Sequence, residues 1–252
     1  MFKNIKAVIF DLDGTIYHGN ELIDGALEVI SHTEKAGKQI YYLTNNSTKT
    51  RMQIVERLCN MGIQCEYENV YTSGYAAVYY AQKEKLNNIY IFGSDDLKNE
   101  FEQAGLQVVN EEKAENLFIG FDAKIDYEKL TKAFRVAKKA NKIIAANIDR
   151  YYPGEKGMLF PGCGAMVSTI EYTANRTADF IVGKPNTFIL DIITHVNGLT
   201  ADEVLVVGDV YESDIAMANK KGSPSVLVGK EKYDDTCCIS QIKEIIPLIK
   251  MN

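Results

Sequence analysis

Two aspartates one residue apart, in the run Asp11-Leu12-Asp13-Gly14-Thr15, can serve nucleophilic and acid–base chemistry together. One carboxylate can attack an electrophile and hold it covalently, while a second carboxyl in a different environment gives up and later takes back a proton. Average residue frequencies produce Asp-x-Asp-Gly-Thr in a chain of this length only on the order of a few times per thousand, so a functional reading outweighs chance. Asp at a strand end is also a common turn former, and Thr44 or Lys184 taken singly could be a helix cap or a solvated cation. Their combination carries the argument: Thr44-Asn45-Asn46-Ser47, Gly183-Lys184-Pro185, and Gly208-Asp209 with Asp214 five residues on.

Carboxylates from Asp11 and Asp209, 209 − 11 = 198 residues apart, repel unless a divalent cation lies between them. Oxygen donors of this kind suit Mg²⁺, which also takes a phosphate oxygen. Asp11 would attack phosphorus and become an aspartyl-phosphate, and Asp13 would protonate the leaving alcohol and then deprotonate the hydrolytic water. Gly14 permits the turn this needs. Lys184 and the Thr44 hydroxyl would bind the phosphoryl oxygens, since phosphoryl transfer depends on positioning and charge stabilisation. Asp214, at a helix start, would orient metal-bound water or Lys184.

The elements that must position these groups follow from periodicity. Apolar runs at 7–10, 40–43 and 70–72 alternate with helix-like stretches at 26–35 and 50–61, the pattern of a parallel sheet. It returns with runs at 180–182, 204–207 and 225–228, helix-like stretches at 187–196 and 213–220, and a last patterned stretch at 239–249. Ligands bind beyond the carboxyl ends of strands in such a sheet, which is where the chemical groups stand. The middle holds its own set: strands at 89–92, 106–109, 117–120 and 142–145, helices at 96–104 and 127–140. The expected organisation is α/β, with 1–77 and 181–252 forming one core and 78–180 an inserted domain.

Composition sets the outer bounds. With 46% hydrophobic and 25% charged residues the chain is an ordinary globular protein. A net charge of −6 without a basic run argues against nucleic acid. Five cysteines without a C-x-x-C pair read as reduced cytosolic thiols, and neither a signal peptide nor a run of 18 apolar residues is expected. We therefore expect a cytoplasmic location without membrane association. Gly162 and Gly164 lack the rest of a dinucleotide fingerprint, no Walker A pattern occurs, and His18, His32 and His195 are scattered.

The motifs resemble those of the haloacid dehalogenase-like (HAD) phosphatases: Asp11 to Thr15 is similar to their first motif, Thr44 to the second, Lys184 to the third, and Gly208-Asp209 with Asp214 to the fourth. Residues 43–50 and Val182-Gly183-Lys184-Pro185 resemble, more narrowly, the NagD and p-nitrophenylphosphatase branch, subfamily IIA. The resemblance implies a Rossmann-like parallel-sheet core with an inserted α/β cap of the C2 type that closes to exclude water. It implies Mg²⁺ held by side-chain oxygens of Asp11 and Asp209 and the backbone carbonyl of Asp13, with Asp214 bound through water. It also implies a cap loop at 146–153, followed by a Gly-rich turn at 161–165, that sets substrate choice. Expected contacts to substrate and phosphate come from Thr44, Asn45, Asn46, Lys184, Asn147 and Asp149. Arg150 is read as a surface charge, with contact to an anionic substrate group as the alternative. The expected activity is hydrolysis of small phosphate monoesters such as sugar phosphates or nucleoside monophosphates, with dimerisation through the cap as a family-level expectation. A phosphotransferase using the same intermediate and a non-catalytic phosphate-ligand binder are the alternatives.

Overall fold

The computed structural model describes Phe2, residues 4–153 and residues 158–249. The chain divides into two compact units: Met1–Thr44, Arg51–Tyr71 and Lys184–Asn252 form the first, and Asn45–Thr50 with Thr72–Gly183 the second.

In the first unit, the all-buried run Ala7–Asp11 is the inner strand of a six-stranded sheet. Continuous apolar sequence of this kind belongs to a parallel strand covered on both faces. Val204–Gly208 pairs with it on one side, Ala7 opposite Val204 and Phe10 opposite Val207, and Gln39–Thr44 on the other, Asp11 opposite Leu43. Ser225–Val228 and Cys237–Ile239 continue the sheet beyond Val204–Gly208, again parallel, and Val70–Thr72 lies beyond Gln39–Thr44. The helix Ala26–Lys35 buries Ala26, Val29, Ile30 and Thr33, the i, i+3, i+4, i+7 stripe of an amphipathic helix, in a core with Val8, Phe10, Leu12 and Tyr42. Arg51–Asn60, Phe188–Val196 and Ala216–Lys221 are the other α-helices of this unit.

The second unit is a four-stranded parallel sheet in the order Phe180–Ile181, Lys142–Ala145, Asn116–Ile119, Ile89–Phe92. Its helices are Ser73–Lys83, Asp95–Gln103, Tyr127–Lys139 and Cys163–Ala174. Three begin at side chains that accept a backbone N–H: Thr72 from Tyr75, Ser94 from Leu97, Asp126 from Lys129. Ala133, Val136 and Ala137 pack with Val167, Ile170 and Ala174 over Leu117, Ile119, Ile143 and Ala145. Tyr151–Pro153 and Leu159–Pro161 form a small antiparallel ribbon.

The architecture is thus a Rossmann-like parallel sheet with an inserted α/β unit. Several expected elements differ. The stretch 106–109 contributes only a parallel bridge between Ile89 and Val108, with Ile89 bonded to Gln107 and Val109 on either side of it. The stretch 239–249 begins at the end of the short strand Cys237–Ile239 and continues as the 3₁₀ turns of Ile242–Leu248, where Pro247 does not sustain an α-helix. Residue 77 falls inside the helix Ser73–Lys83. Among the described residues no helix is long and apolar enough to cross a membrane.

Candidate active site

Strand order reverses at Ala7–Asp11: the next core strand in sequence lies on one side and a strand from late in the chain on the other, which opens a crevice at the carboxyl edge. Asp11 ends its strand there, Thr44 ends the neighbouring strand one residue past the position opposite Asp11, and Gly208 ends the third and leads into Asp209. Lys184, only 3% exposed, donates from Nζ to Asp11 Oδ1 at 2.5 Å and to Asp214 Oδ1 at 2.6 Å. Asp214 sits in a single wide π turn, Tyr211–Ile215, and its other oxygen accepts the Val210 N–H at 3.2 Å. Such turns recur at functional sites because they redirect one side chain from an otherwise regular path.

One carboxylate oxygen each of Asp11, Asp209 and Asp214 lies within 4.8 Å of the others. Two glycines make this crowding possible. Gly14 has φ +96°, and a Cβ there would stand 2.0 Å from Asp209 Oδ2; a Cβ on Gly208 would stand 2.3 Å from Asp214 Cγ. Thr15 Oγ1 donates to Asp209 Oδ1 at 3.4 Å.

Three carboxylates here share one ammonium. Burial raises the Asp11 carboxyl well above its ordinary range, Lys184 pulls the other way, and Asp214 and Asp209 push it further up. Asp209 is pushed up to about 7, first by burial and then by Asp214, against Lys184. Burial would lower the Lys184 ammonium, but Asp11 and Asp214 outweigh it and hold the group above the usual lysine value. A buried surplus of negative charge on oxygen donors alone is what a hard divalent cation neutralises, so the residues present fit such an ion. Asp13 is exposed, yet partial desolvation raises its carboxyl, against the opposing charges of Arg57 and His18. Arg57 donates to the Gly19 carbonyl and lies over the Tyr17 ring at 4.2 Å.

The other expected contact residues belong to the second unit. Asn45 donates from Nδ2 to both Asp149 oxygens, at 2.9 and 3.1 Å, and its carbonyl accepts from Asn147 Nδ2 at 2.6 Å and Ser73 Oγ at 2.7 Å. The Asp149 N–H donates to Asn147 Oδ1 at 3.1 Å. Asn46 Oδ1 accepts from Thr48 N and Oγ1 and from Lys49 N, which closes a local turn. Arg150 is exposed. The glycine-rich segment is the start of the helix Cys163–Ala174: Gly162 and Gly164 donate to the carbonyls of Arg150 and Asp149, and a Cβ on either would lie within 2.4–2.7 Å of loop carbonyls. Sequence reasoning assigned no role to Arg57 or Ser73. Ser73 stands 28 residues from its partner with no pattern to link them, whereas Thr15 was visible in the first motif.

Comparison with known proteins agrees with this geometry. A haloacid dehalogenase-like hydrolase family model matches residues 8–107, and a HAD-hydrolase-like model matches residues 181–244. An acid sugar phosphatase of Staphylococcus epidermidis is 37% identical over 248 residues, covering 97% of this chain and 93% of that protein. The acid sugar phosphatase of Staphylococcus aureus is 36% identical over 227 residues, 90% of this chain and 87% of that one. Among solved structures, the p-nitrophenyl phosphatase of Archaeoglobus fulgidus superposes with a TM-score of 0.91 at 30% identity, over 98% of this chain and 100% of its own. The 4-nitrophenylphosphatase of Thermotoga maritima gives 0.91 at 29% identity, with 98% of each chain covered. With strand-end aspartates, the buried lysine and both halves of the sequence in agreement, this chain belongs to the haloacid dehalogenase-like hydrolases, as a phosphoric monoester hydrolase of the NagD and p-nitrophenylphosphatase type.

Proposed function

We propose that the protein hydrolyses small phosphate monoesters, sugar phosphates foremost, through a phosphoaspartyl intermediate on Asp11 with Mg²⁺ as its metal. The observation that carries this reading is the buried Asp11–Lys184–Asp214 arrangement at the sheet's switch point, with Asp209 alongside. Sugar phosphates are favoured because the Staphylococcus relatives are acid sugar phosphatases.

Side-chain oxygens of Asp11 and Asp209 and the backbone carbonyl of Asp13 would hold the metal, with Asp214 as an outer partner. A bound Mg²⁺ supplies charge neutralisation for a phosphate beside carboxylates. The chain's own residues do the rest. Lys184 and the Thr44 hydroxyl bind phosphoryl oxygens, assisted by Asn45 and Asn46 in the segment that follows Thr44. An Asp11 oxygen forms a bond to phosphorus as the ester P–O bond breaks, and the departing alkoxide takes the Asp13 proton. A water then attacks phosphorus, Asp13 accepts its proton, the acyl-phosphate bond breaks, and inorganic phosphate leaves with Asp11 restored. The raised Asp13 carboxyl suits the first step, since it keeps more of the acid form available.

The test is phosphate release from sugar phosphates, nucleoside monophosphates and p-nitrophenyl phosphate, with Mg²⁺ or EDTA, by wild type and Asp11→Asn. Release that needs Mg²⁺ and disappears in Asp11→Asn is expected. Full activity in Asp11→Asn, or in EDTA after exhaustive metal removal, refutes the mechanism.

A further inference from the structure

The hydrogen bonds around Asn45 sit beside the two points where the chain passes from one unit to the other, at Thr44–Asn45 and Gly183–Lys184. Resting on the phosphatase reading above, we propose that Asn147 and Asp149 are positioning residues: they fix Asn45, the loop that carries them holds Gly183 through the Ala146 carbonyl, and the covalent chain passes this on to the placement of Thr44 and Lys184, without choosing among leaving groups.

Asn45 is held at its carbonyl and at its amide nitrogen. Its carbonyl accepts two donors, Asn147 Nδ2 and Ser73 Oγ, and this fixes the plane of the peptide it shares with Asn46. Its amide nitrogen reaches both oxygens of one carboxylate, Asp149, so amide and carboxylate orient each other. Its amide oxygen lies where a Cβ on Gly183 would be, 2.5 Å away; only glycine before Lys184 admits that oxygen. Gly183 is itself tied by its N–H to the Ala146 carbonyl at 2.9 Å, the residue before Asn147. Thus the residue after Thr44 and the residue before Lys184 are both locked to the loop that carries Asn147 and Asp149.

The loop is in turn supported from beneath. The Gly164 N–H donates to the Asp149 carbonyl at 2.9 Å, the Gly162 N–H to the Arg150 carbonyl at 2.9 Å, and the missing side chains of both glycines leave room for the loop backbone. Asn147 is only 3% exposed. A side chain that deep, directed at a main-chain carbonyl, satisfies and holds the backbone group it bonds.

A contact residue and a positioning residue separate kinetically. Loss of a contact to the leaving group alters some esters more than others; loss of positioning at Thr44 and Lys184 slows every ester alike, because all share the phosphoryl group. The experiment compares wild type, Asp149→Ala, Asp149→Asn and Ser73→Ala on p-nitrophenyl phosphate, a hexose phosphate and a nucleoside monophosphate, with thermal unfolding as the check on fold. Asp149→Ala is expected to lower kcat by up to about 100-fold, by a common factor for the three esters, and to weaken inorganic phosphate binding measured calorimetrically. Asp149→Asn, which keeps an acceptor oxygen for the Asn45 amide, recovers most of that loss, and Ser73→Ala shows a smaller uniform decrease. A more than tenfold change in the ratio between esters, a kcat within twofold of wild type for Asp149→Ala, or an equal loss in Asp149→Asn overturns the proposal. If Asp149→Ala does not fold, a leaving-group-dependent effect in Ser73→Ala overturns it instead. Failure of the underlying phosphatase mechanism is read separately, as retained turnover in Asp11→Asn.

Discussion

Replacing Gly14 by alanine adds one methyl group at the most crowded point of the site. The new Cβ would stand 2.0 Å from Asp209 Oδ2, 2.5 Å from its Cγ and 2.8 Å from its Oδ1. Carbon–oxygen contacts settle at roughly 3.3 Å or more, so the Asp209 carboxylate must move by about 1 Å. A displacement of that size costs on the order of a hundredfold in rate where reacting groups are held in line. The backbone adds its own penalty, because φ is +96° and an L-residue there loses about 1–2 kcal/mol. For a chain of this size that lowers Tm by roughly 2–8 °C. Gly19→Ala is the matched control: its φ is +53°, with nothing within 4 Å of the added Cβ, so it carries the conformational penalty without the collision. The assays are p-nitrophenyl phosphate turnover across a Mg²⁺ series, calorimetric Mg²⁺ affinity and thermal unfolding. Gly14→Ala should lose about a hundredfold in kcat and bind Mg²⁺ more weakly, while Gly19→Ala loses a similar Tm and stays within twofold in kcat. Gly14→Ala within threefold of wild type in both turnover and Mg²⁺ affinity refutes the steric argument, as does an equal loss in Gly19→Ala.

Lys184→Met removes the shared cation of Asp11 and Asp214 and should destabilise the fold by about 3–5 kcal/mol in urea titration, with turnover lost and stability partly recovered by adding Asp214→Asn. In EDTA, stability should fall as pH rises from about 4 to 7: Asp209, raised to about 7, binds more protons folded than unfolded across that window. Asp209→Asn should flatten this dependence and Mg²⁺ should offset it; a metal-free stability that rises over the same range contradicts the assignment. Arg51→Met strips donors from the carbonyls of Val70 and Tyr67 and a cation from the Tyr67 ring, and should cost about 2–4 kcal/mol in chemical denaturation.

The strand ends that carry Asp11, Thr44 and Asp209 were legible in the sequence because buried parallel strands are short unbroken apolar runs, and the residue after each run is then at the ligand-bearing edge. Less visible were the helices Ser73–Lys83 and Cys163–Ala174. The first buries seven of its 11 residues, and small or aromatic side chains on all sides leave no polar face to mark a period. The second opens with Gly162-Cys163-Gly164, which reads as a turn; the glycines are there to admit loop carbonyls, a tertiary requirement that no local propensity encodes. The assignment of 45–50 to the second unit is likewise settled by long-range bonds to Ser73, Asn147 and Asp149 and not by any change in composition. That Lys184 and Asp11, 173 residues apart, meet at one sheet edge followed from the runs they terminate, whereas the direct bond between them did not.

The pairing of Ala7–Asp11 with Val204–Gly208 has a consequence for biosynthesis. Ala7 meets Val204 across 204 − 7 = 197 residues, so the innermost strand of the sheet leaves the ribosome long before one of its two partners exists. At about 5–20 residues per second the wait is roughly 10–40 s, during which an apolar strand edge lacks its cover. Most of the second unit is one continuous stretch, 72–183, and is complete before residue 204 is made. The order of synthesis therefore favours a folded insert tethered to an open half-sheet, and the carboxylates of Asp11 and Asp209 meet only at the final closure of the sheet, when the active site forms.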